Sequence, residues 1–457
     1  MHSANVKELA VFRRSFLSSN RIFRLLIGLS FGFATTDAVQ SQPPRKSANS
    51  VRPAQTQQKP TANKSVSKEL KIDPEKLPTN YLAPQERSPL LEIDQPLLVP
   101  EELEKLRKED GKFGSTLVKA GSDEASLMVI HNGIRFRLAR MCLKENFENV
   151  KKLSDLRIDL ERVLNGAGLA ARDLKADRLR EFRQVVMTDF LTQATPVLQN
   201  NLNVRVQIVV LMSELEAVSE DLRNKKMREA FVPAFEPLLT VILDPQQPPV
   251  VKIPAVYGLA RILRTGTPNV GQRTKIAEAM IAELASNETH WWYQMRLSSG
   301  LGLIALDVSK QPIVVKALKN VLSDPDRSWT VRTEAAKSLG QVPIPPVSDP
   351  SSVVRAISEM ALQMAQAAQP NSDNKIWKTR FFKLYLAFQA ESPNEKDATK
   401  NGTPGLLNQA TASGAAKTAY ANIVPLVSAI LKGEPLTAEK ISPLQEWLTS
   451  TVATTGK

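Results

Sequence analysis

Few residues in this chain are of a type and spacing that could carry out chemistry. There are three histidines, His2, His131 and His290, and one cysteine, Cys142. His131 and His290 are far apart in the sequence, so with a single thiol they cannot form a zinc site of the usual ligand spacing. Cys142 lies in an apolar helical run, and neither a nearby histidine nor a helix N-terminus that would lower its pKa is evident. We therefore expect a buried, inert thiol.

Motifs for nucleophilic, phosphate-binding and acid–base chemistry are also missing. The pattern Gly-x-Ser-x-Gly does not occur. Residues 413–418 lack a glycine immediately before the lysine, and no strand is predicted before them, so they are not a phosphate loop. Carboxylates are numerous, but no spacing singles out a catalytic pair. We predict no catalytic residue, no metal site and no cofactor.

One short group of residues is typical of a contact site. Aromatic residues make up only 5% of the chain, yet His290, Trp291, Trp292 and Tyr293 are consecutive, at a predicted turn between helices. Tryptophan and tyrosine are favoured anchors at binding interfaces, so these four are the predicted partner-binding residues. The alternative is that Trp292 and Tyr293 fill the groove between two helix pairs.

The net charge of +13 does not indicate a nucleic-acid-binding protein. Residues 1–41 carry +3 and residues 42–89 carry +5, which leaves +5 for the remaining 368 residues. No run of lysine and arginine typical of nucleic-acid binding occurs in that remainder. The excess charge therefore serves targeting and solubility, and we expect no DNA or RNA partner.

The N-terminus predicts export. Five basic residues lie before an apolar stretch at 25–35, which is too short to span a bilayer, and small residues follow it. Cleavage is expected after Ala38 or Ser41, which would release a periplasmic or extracellular protein. Arg-Arg-Ser-Phe-Leu at 13–17 resembles the twin-arginine export motif. An ordinary secretory leader and an uncleaved membrane anchor remain as alternatives.

Residues 42–90 predict a disordered linker. They are rich in Gln, Pro, Ser, Lys and Asn, and they contain too little apolar surface to offset the entropy of ordering the chain. No later segment reaches eighteen apolar residues, so no transmembrane span is predicted in the mature chain.

An internal repeat in the sequence predicts a series of similar helices. Four segments align without gaps on a basic residue, and apolar or small residues recur one place before it and three, four, seven and ten places after it. These offsets trace one face of a helix. The anchors are Arg205, Lys252, Arg296 and Arg332, and a fifth copy with bulky aromatics aligns on Lys378. The facing positions are mostly small, so another helix can approach closely.

A second helix is predicted before each of three later copies, at 227–243, 273–286 and 313–323. The first and third of these end at Asp244-Pro245 and Asp324-Pro325, where the proline stops the helix. Eight residues separate each Asp from the next anchor. The sequence therefore predicts an all-α chain of repeated helix pairs.

This pattern resembles the HEAT-repeat family, whose units contain helix A, a turn with Asp-Pro and helix B. The closest match is 329–340, Trp-Thr-Val-Arg-Thr-Glu-Ala-Ala-Lys-Ser-Leu-Gly, and the resemblance covers about residues 175–390. It implies an α-solenoid in which stacked pairs bury their apolar faces against their neighbours. It also implies a hydrogen-bonded ladder between turn Asp and helix-B Arg, with Lys252 a poorer substitute because it lacks forked donors. The ladder residues are Asp244, Asp324, Arg205, Arg296 and Arg332.

The predicted organisation follows from these features. It comprises a signal peptide at 1–41, a linker at 42–90, a helical cap at 91–170, HEAT-like repeats at 171–390, a loop at 391–414 and C-terminal helices at 415–457. We expect a non-catalytic exported scaffold that binds a protein or peptide partner on its solenoid surface. The alternatives are an enzyme or enzyme subunit, since some HEAT-like proteins are lyases that attach bilins, and a structural envelope component.

Overall fold

A computed structural model of the chain describes residues 88–171, 173–220, 227–286, 289–389 and 405–455. The predicted signal peptide and almost all of the predicted linker lie outside these residues, as does most of the predicted loop at 391–414. The described residues form helices and one short pair of antiparallel strands, β1 (Glu216–Val218) and β2 (Glu229–Ala230). The all-α prediction is therefore confirmed for this part of the chain.

Six helices form the N-terminal part of the described chain, and the third of them is at its centre. Helix α3 begins after Asp123, whose side chain accepts a hydrogen bond from the backbone N of Ser126. Gly133 on α3 leaves room for the ring of Phe113, since a Cβ there would lie 2.1 Å from a ring atom. Helix α3 contacts α1, α2, α5 and α6. The helices are α1 (Pro100–Glu109), α2 (Phe113–Val118), α3 (Glu124–Met141), α4 (Lys144–Phe147), α5 (Val150–Asn165) and α6 (Ala176–Ala194).

The remaining helices form two rows. In the row that we call the B row, each helix contacts the next, and the row contains α7 (Leu202–Ser213), α9 (Pro249–Thr265), α11 (Trp291–Leu301), α13 (Trp329–Gln341), α15 (Lys375–Phe388) and α16 (Ser413–Lys432). The A row contains α8 (Phe235–Leu243), α10 (Val270–Leu284), α12 (Gln311–Ser323), α14 (Pro350–Ala368) and α17 (Ala438–Thr455), again with each helix in contact with the next. Helices α8, α10 and α12 also contact the B-row helix that follows them.

The repeated apolar positions form the core between the rows. In the first, second and fourth copies the residues one place before the anchor and three, four and seven places after it are buried. In the second copy, for example, Val251 and Leu259 are fully buried, and so are Val331 and Leu339 in the fourth. The periodicity therefore identified the buried face of α7, α9 and α13 correctly.

Two predicted helices differ from the structure. In α11 the buried residues include Tyr293, Leu297, Ser298 and Leu301, each two places before a position that the alignment on Arg296 predicted, so the third copy was aligned two residues too far along the chain. The helix also ends at Leu301, before the predicted core position Leu303. The helix predicted at 227–243 begins only at Phe235. Residues Glu229–Ala230 pair with β1 as β2, and Val232–Ala234 form a short 3-10 helix directly before α8.

Helix α16 is the one helix of the described residues that is long and apolar enough to cross a membrane, by length and composition alone. It contacts α14, α15 and α17. Its buried side chains include Ile423, Leu426, Val427 and Ile430. The apolar character of α16 is accounted for by this packing against neighbouring helices.

Candidate binding surface

The predicted aromatic contact group lies at the start of α11. His290 is the N-cap residue, and its ring accepts a hydrogen bond from the backbone N of Trp292 at 3.2 Å. Trp291 and Trp292 are partly buried and pack against the core, whereas Tyr293 is fully buried. Burial lowers the pKa of His290. Of the four residues, Tyr293 therefore has no surface left for a partner, and the two tryptophans keep some.

Tyr293 belongs to a polar contact that joins three helices. Its hydroxyl donates to Glu283 Oε2 on α10 at 2.9 Å, and Lys252 Nζ on α9 donates to the same oxygen at 2.9 Å. Burial and the neighbouring Glu283 carboxylate raise the pKa of Tyr293. Lys252, the predicted substitute in the ladder, thus bridges to the A row through an ion pair.

Two arginines of the predicted ladder bind carbonyl groups at the end of the preceding helix. Arg332 Nε donates to the Leu322 carbonyl of α12 at 2.9 Å, and Arg205 donates to the carbonyls of Gln199 and Asn200, at the end of the short helix before α7. The last carbonyls of a helix have no partner within the helix, and a nearby cation also interacts favourably with the negative end of the helix dipole. These two arginines therefore cap the helix that precedes their own.

The turn aspartates bind a residue that sequence reasoning missed. Asp244 accepts from Gln247 Nε2 at 3.1 Å, and Asp324 accepts from Arg327 Nε at 3.1 Å. Arg205 of the preceding copy donates to Gln247 at 3.3 Å. The side chain three places after each Asp therefore carries the contact, and the matching spacing Asp-x-x-Gln and Asp-x-x-Arg was the available signal.

Arg327 also binds two residues of the preceding helix pair. Its guanidinium donates to Gln294 Oε1 on α11 at 3.0 Å and to the Leu284 carbonyl at the end of α10 at 2.7 Å. Both acceptors belong to the preceding helix pair. A buried arginine therefore links two neighbouring pairs and caps an A-row helix at once.

A continuous line of charged side chains crosses from α5 to α15 along the B row, and we call it the charged seam. Each member lies close enough to the next to form an ion pair or to shift its pKa. Perturbed pKa values that gather on one surface are a common property of functional sites. The seam comprises Arg157 and Glu161 on α5, Glu214 after α7, Tyr257, Arg261 and Arg264 on α9, Arg296 on α11, Glu334 and Lys337 on α13, and Lys383 on α15.

At the α9 part of the seam, Arg261 organises two carboxylates. Its guanidinium lies 3.2 Å from Glu216 Oε1 on β1 and 3.9 Å from Glu214 Oε2. It also donates to the carbonyls of Ser213 and Leu215, where α7 ends. Burial raises the pKa of both carboxyl groups, although Arg261 opposes this effect. Charge is nearly balanced in this part of the seam.

The other end of the seam is basic. Glu334 is buried, and its carboxylate lies 2.6 Å from Lys383 Nζ and 3.7 Å from Lys337 Nζ. Burial would raise the pKa of Glu334, but these lysines and Arg296 outweigh it and lower the pKa to about 2. Burial lowers the pKa of Arg296, and the like charge of Arg264 adds to this effect. Three cations, Arg296, Lys337 and Lys383, therefore surround this carboxylate, and Arg264 lies near the first of them.

The residues considered for chemistry lie outside the seam. Cys142 is fully buried, and burial raises the pKa of its thiol to about 12, as expected for an inert cysteine. His131 pairs with Asp189 near the N-terminal end of the described chain. Within the described ranges, no three His, Cys, Asp or Glu side chains lie together so as to hold a metal ion.

Comparison with known proteins adds no relative. Neither a scan against models of protein families nor a search among curated proteins found a match for this chain.

Proposed function

We propose that this protein is an exported, non-catalytic scaffold of HEAT-like helix pairs that binds a protein or peptide partner along the charged seam. The main observation behind this proposal is the charged seam, in which side chains from five helices lie next to one another. A binding surface assembled from one or two side chains per repeat is the usual way in which stacked helical repeats hold a partner.

The solenoid part of the proposal is supported by the two rows. Each B-row helix contacts the next, and the position seven places after the anchor is buried in the first, second and fourth copies, as Met212, Leu259 and Leu339. One helix pair cannot cover its own apolar face, so each pair needs a neighbour. Gln247 and Arg327 each lie three places after a turn Asp, and each donates to a carbonyl near the end of an earlier helix, that of Leu198 or Leu284.

The chemistry of the partner follows from the basic end of the seam. Arg264, Arg296, Lys337 and Lys383 leave an excess of three positive charges after Glu334 is counted. Arg264 is exposed, and Lys337 and Lys383 keep some exposure. An acidic segment of a partner complements this charge and would be steered toward it.

Site-specific photo-crosslinking in the source cells tests the proposal. A photoreactive amino acid replaces Arg264 on the seam in one strain and Lys275, exposed on the A-row helix α10, in a matched strain. We expect one discrete protein adduct from position 264, none from 275, and weaker formation when Lys337→Gln is added. No adduct from position 264, or the same adducts from both positions, would overturn the proposal.

Export is the part of the proposal that depends on the N-terminus. The basic region, the short apolar stretch and the small residues that follow support a cleaved leader. We expect the mature protein in the exported fraction to begin at Val39 or Gln42, as read by N-terminal sequencing. Protein that retains Met1 and stays in the cytoplasmic fraction would contradict export.

A further inference from the structure

A groove between α3 and α6 has an apolar floor. It encloses about 490 Å³. Helix α3 contributes Leu127, Met128 and Ile130 to its lining, and α6 contributes Val185 and Val186. Ile130 and Val186 are buried beneath it, whereas Met128 is 55% exposed and Val185 is 51% exposed. Isolated exposed apolar residues are ordinary, but here two of them, one from each helix, border the same groove.

The rim of the groove is acidic. Glu124 and Asp189 line it together with His131, and Asp189 Oδ1 lies 2.9 Å from His131 Nδ1. A neighbouring depression along α6 shares Val185 and is bordered by Glu181, whose carboxylate lies 2.9 Å from the Arg178 guanidinium. Among the described residues that line these two depressions, there is no lysine or arginine. The sign of this surface is therefore opposite to that of the basic end of the charged seam.

We propose that this groove binds one amphipathic helix of a partner, whose apolar face covers Met128 and Val185 and whose cationic side chain approaches Glu124 and Asp189. A groove between two helices with an apolar floor is the surface that receives such helices through residues spaced three and four apart. The carboxylates select a cationic helix by charge complementarity. This surface is independent of the seam, which favours an acidic partner.

Two designed peptides probe the groove on the purified full chain. One is an 18-residue helix with leucines on one face and lysines on the other, and the second replaces every lysine by glutamate. Fluorescence anisotropy should show 1:1 binding of the lysine peptide and at least about tenfold weaker binding of the glutamate peptide. Equal binding of the two peptides would overturn the proposal.

Substitutions in the groove test whether the lysine peptide binds there. The pair Met128→Ser and Val185→Ser should weaken binding of the lysine peptide by about tenfold or more, because the apolar anchors are removed. The pair Glu124→Gln and Asp189→Asn should weaken it and reduce its dependence on salt. The control pair, Leu243→Ser and Val308→Ser, removes side chains that are 52% and 72% exposed elsewhere and should leave binding unchanged.

Folding and self-association are measured on the same samples. All these positions keep surface exposure, so circular dichroism and thermal melting should show intact folding in every variant. An equal loss of binding in the control pair would overturn the groove assignment. Self-association that the Met128→Ser and Val185→Ser pair abolishes would assign the groove to a second copy of this chain, which also overturns the proposal.

Discussion

At the scale of single residues, Glu334 has the largest influence on the charged seam. Its buried carboxylate lies among Arg296, Lys337 and Lys383 and forms ion pairs with both lysines. Charges that have left water are costly unless they are paired, so Glu334 stabilises these cations. Its negative charge compensates part of the positive charge at the basic end of the seam.

Replacing Glu334 by glutamine should therefore destabilise the fold. We predict that Glu334→Gln lowers the free energy of unfolding by about 3–5 kcal/mol, the usual cost of leaving buried charges without their partner. Urea unfolding measures the change. The control is Glu359→Gln on α14, whose half-exposed carboxylate pairs with Arg355 at 2.8 Å and should cost less than about 1 kcal/mol. Equal losses in the two variants would contradict the prediction.

The lowered pKa of Glu334 also makes the free energy of unfolding depend on pH. Its pKa is about 2 in the folded protein against 4.5 for an ordinary glutamate, so the unfolded chain takes up the proton first as the pH falls. The stabilisation is present above about pH 4.5 and is lost as the pH falls toward 2, on the order of 3 kcal/mol in all.

This dependence should disappear in the variant. We predict that the free energy of unfolding, plotted against pH between about 5 and 2.5, has a shallower slope for Glu334→Gln than for the unmodified protein. Glu214 and Glu216, whose pKa values burial raises, contribute with the opposite sign in both proteins and cancel in the comparison. Identical slopes would show that Glu334 titrates normally.

At the scale of elements, buried arginines terminate several helices. Arg183 donates to the Asn165 carbonyl at the end of α5, Arg261 to Ser213 at the end of α7, and Arg327 to Leu284 at the end of α10. Arg332 does the same for α12 through the Leu322 carbonyl. Each guanidinium satisfies carbonyls that the helix leaves open, and it does so from another helix or turn. Capping is thus also a contact between elements.

Arg327 offers the clearest test of this capping. We predict that Arg327→Met lowers the free energy of unfolding by about 2–4 kcal/mol, because the Leu284 carbonyl and the Gln294 side chain lose their buried donor. Arg178→Met is the control, since that arginine is 73% exposed and pairs with nearby Glu181, and it should change stability by less than about 1 kcal/mol. A similar small loss for Arg327→Met would refute the capping role.

The approach of α13 to α15 depends on Gly340. A Cβ at this position would lie 2.1 Å from the backbone oxygen of Ala387, and backbone cannot move aside locally. We predict that Gly340→Ala lowers the melting temperature by several degrees, as expected for overpacking that costs about 1–3 kcal/mol. Gly414→Ala on α16 meets no atom within 4 Å and should be neutral or slightly stabilising. A neutral Gly340→Ala would contradict the close packing.

What could be predicted from the sequence follows from the range of each interaction. The core faces of α9 and α13 follow from local periodicity, and the residues that the repeat placed there are buried. The buried face of α11 lies two residues before the predicted one, because the alignment was anchored on Arg296 and the buried Gln294 occupies the equivalent place. The strand before α8 depends on pairing with β1, about a dozen residues away, which periodicity does not report.

The candidate surface was harder to predict than the core. The neighbours of the seam come from different repeats, and Glu334 and Lys383 are 49 positions apart in the sequence. Charged residues at such separation look like ordinary solvated surface until the helices are packed together. Tyr293 stood out in the sequence as an aromatic residue, but its structural role is the hydrogen bond that joins α11 to Glu283 on α10.

At the scale of the whole molecule, charge is unevenly distributed along the chain and between surfaces. Residues 1–89 hold +8 of the net charge of +13, and the later 368 residues hold +5. Within those residues the groove between α3 and α6 is rimmed by carboxylates, whereas the far end of the seam is basic. Two surfaces of opposite sign suit a scaffold that holds two segments of different charge.

The charged seam is tested most directly by the binding of a fluorescent oligo-glutamate peptide to the purified protein, measured by anisotropy. Arg264→Glu on the seam and Lys275→Glu on the A row change the net charge equally, and both positions are exposed. We predict that Arg264→Glu weakens binding about fivefold or more, that Lys275→Glu changes it less than about twofold, and that added salt reduces the difference. Equal weakening in the two variants would show that only net charge attracts the peptide, and it would contradict a binding surface on the seam.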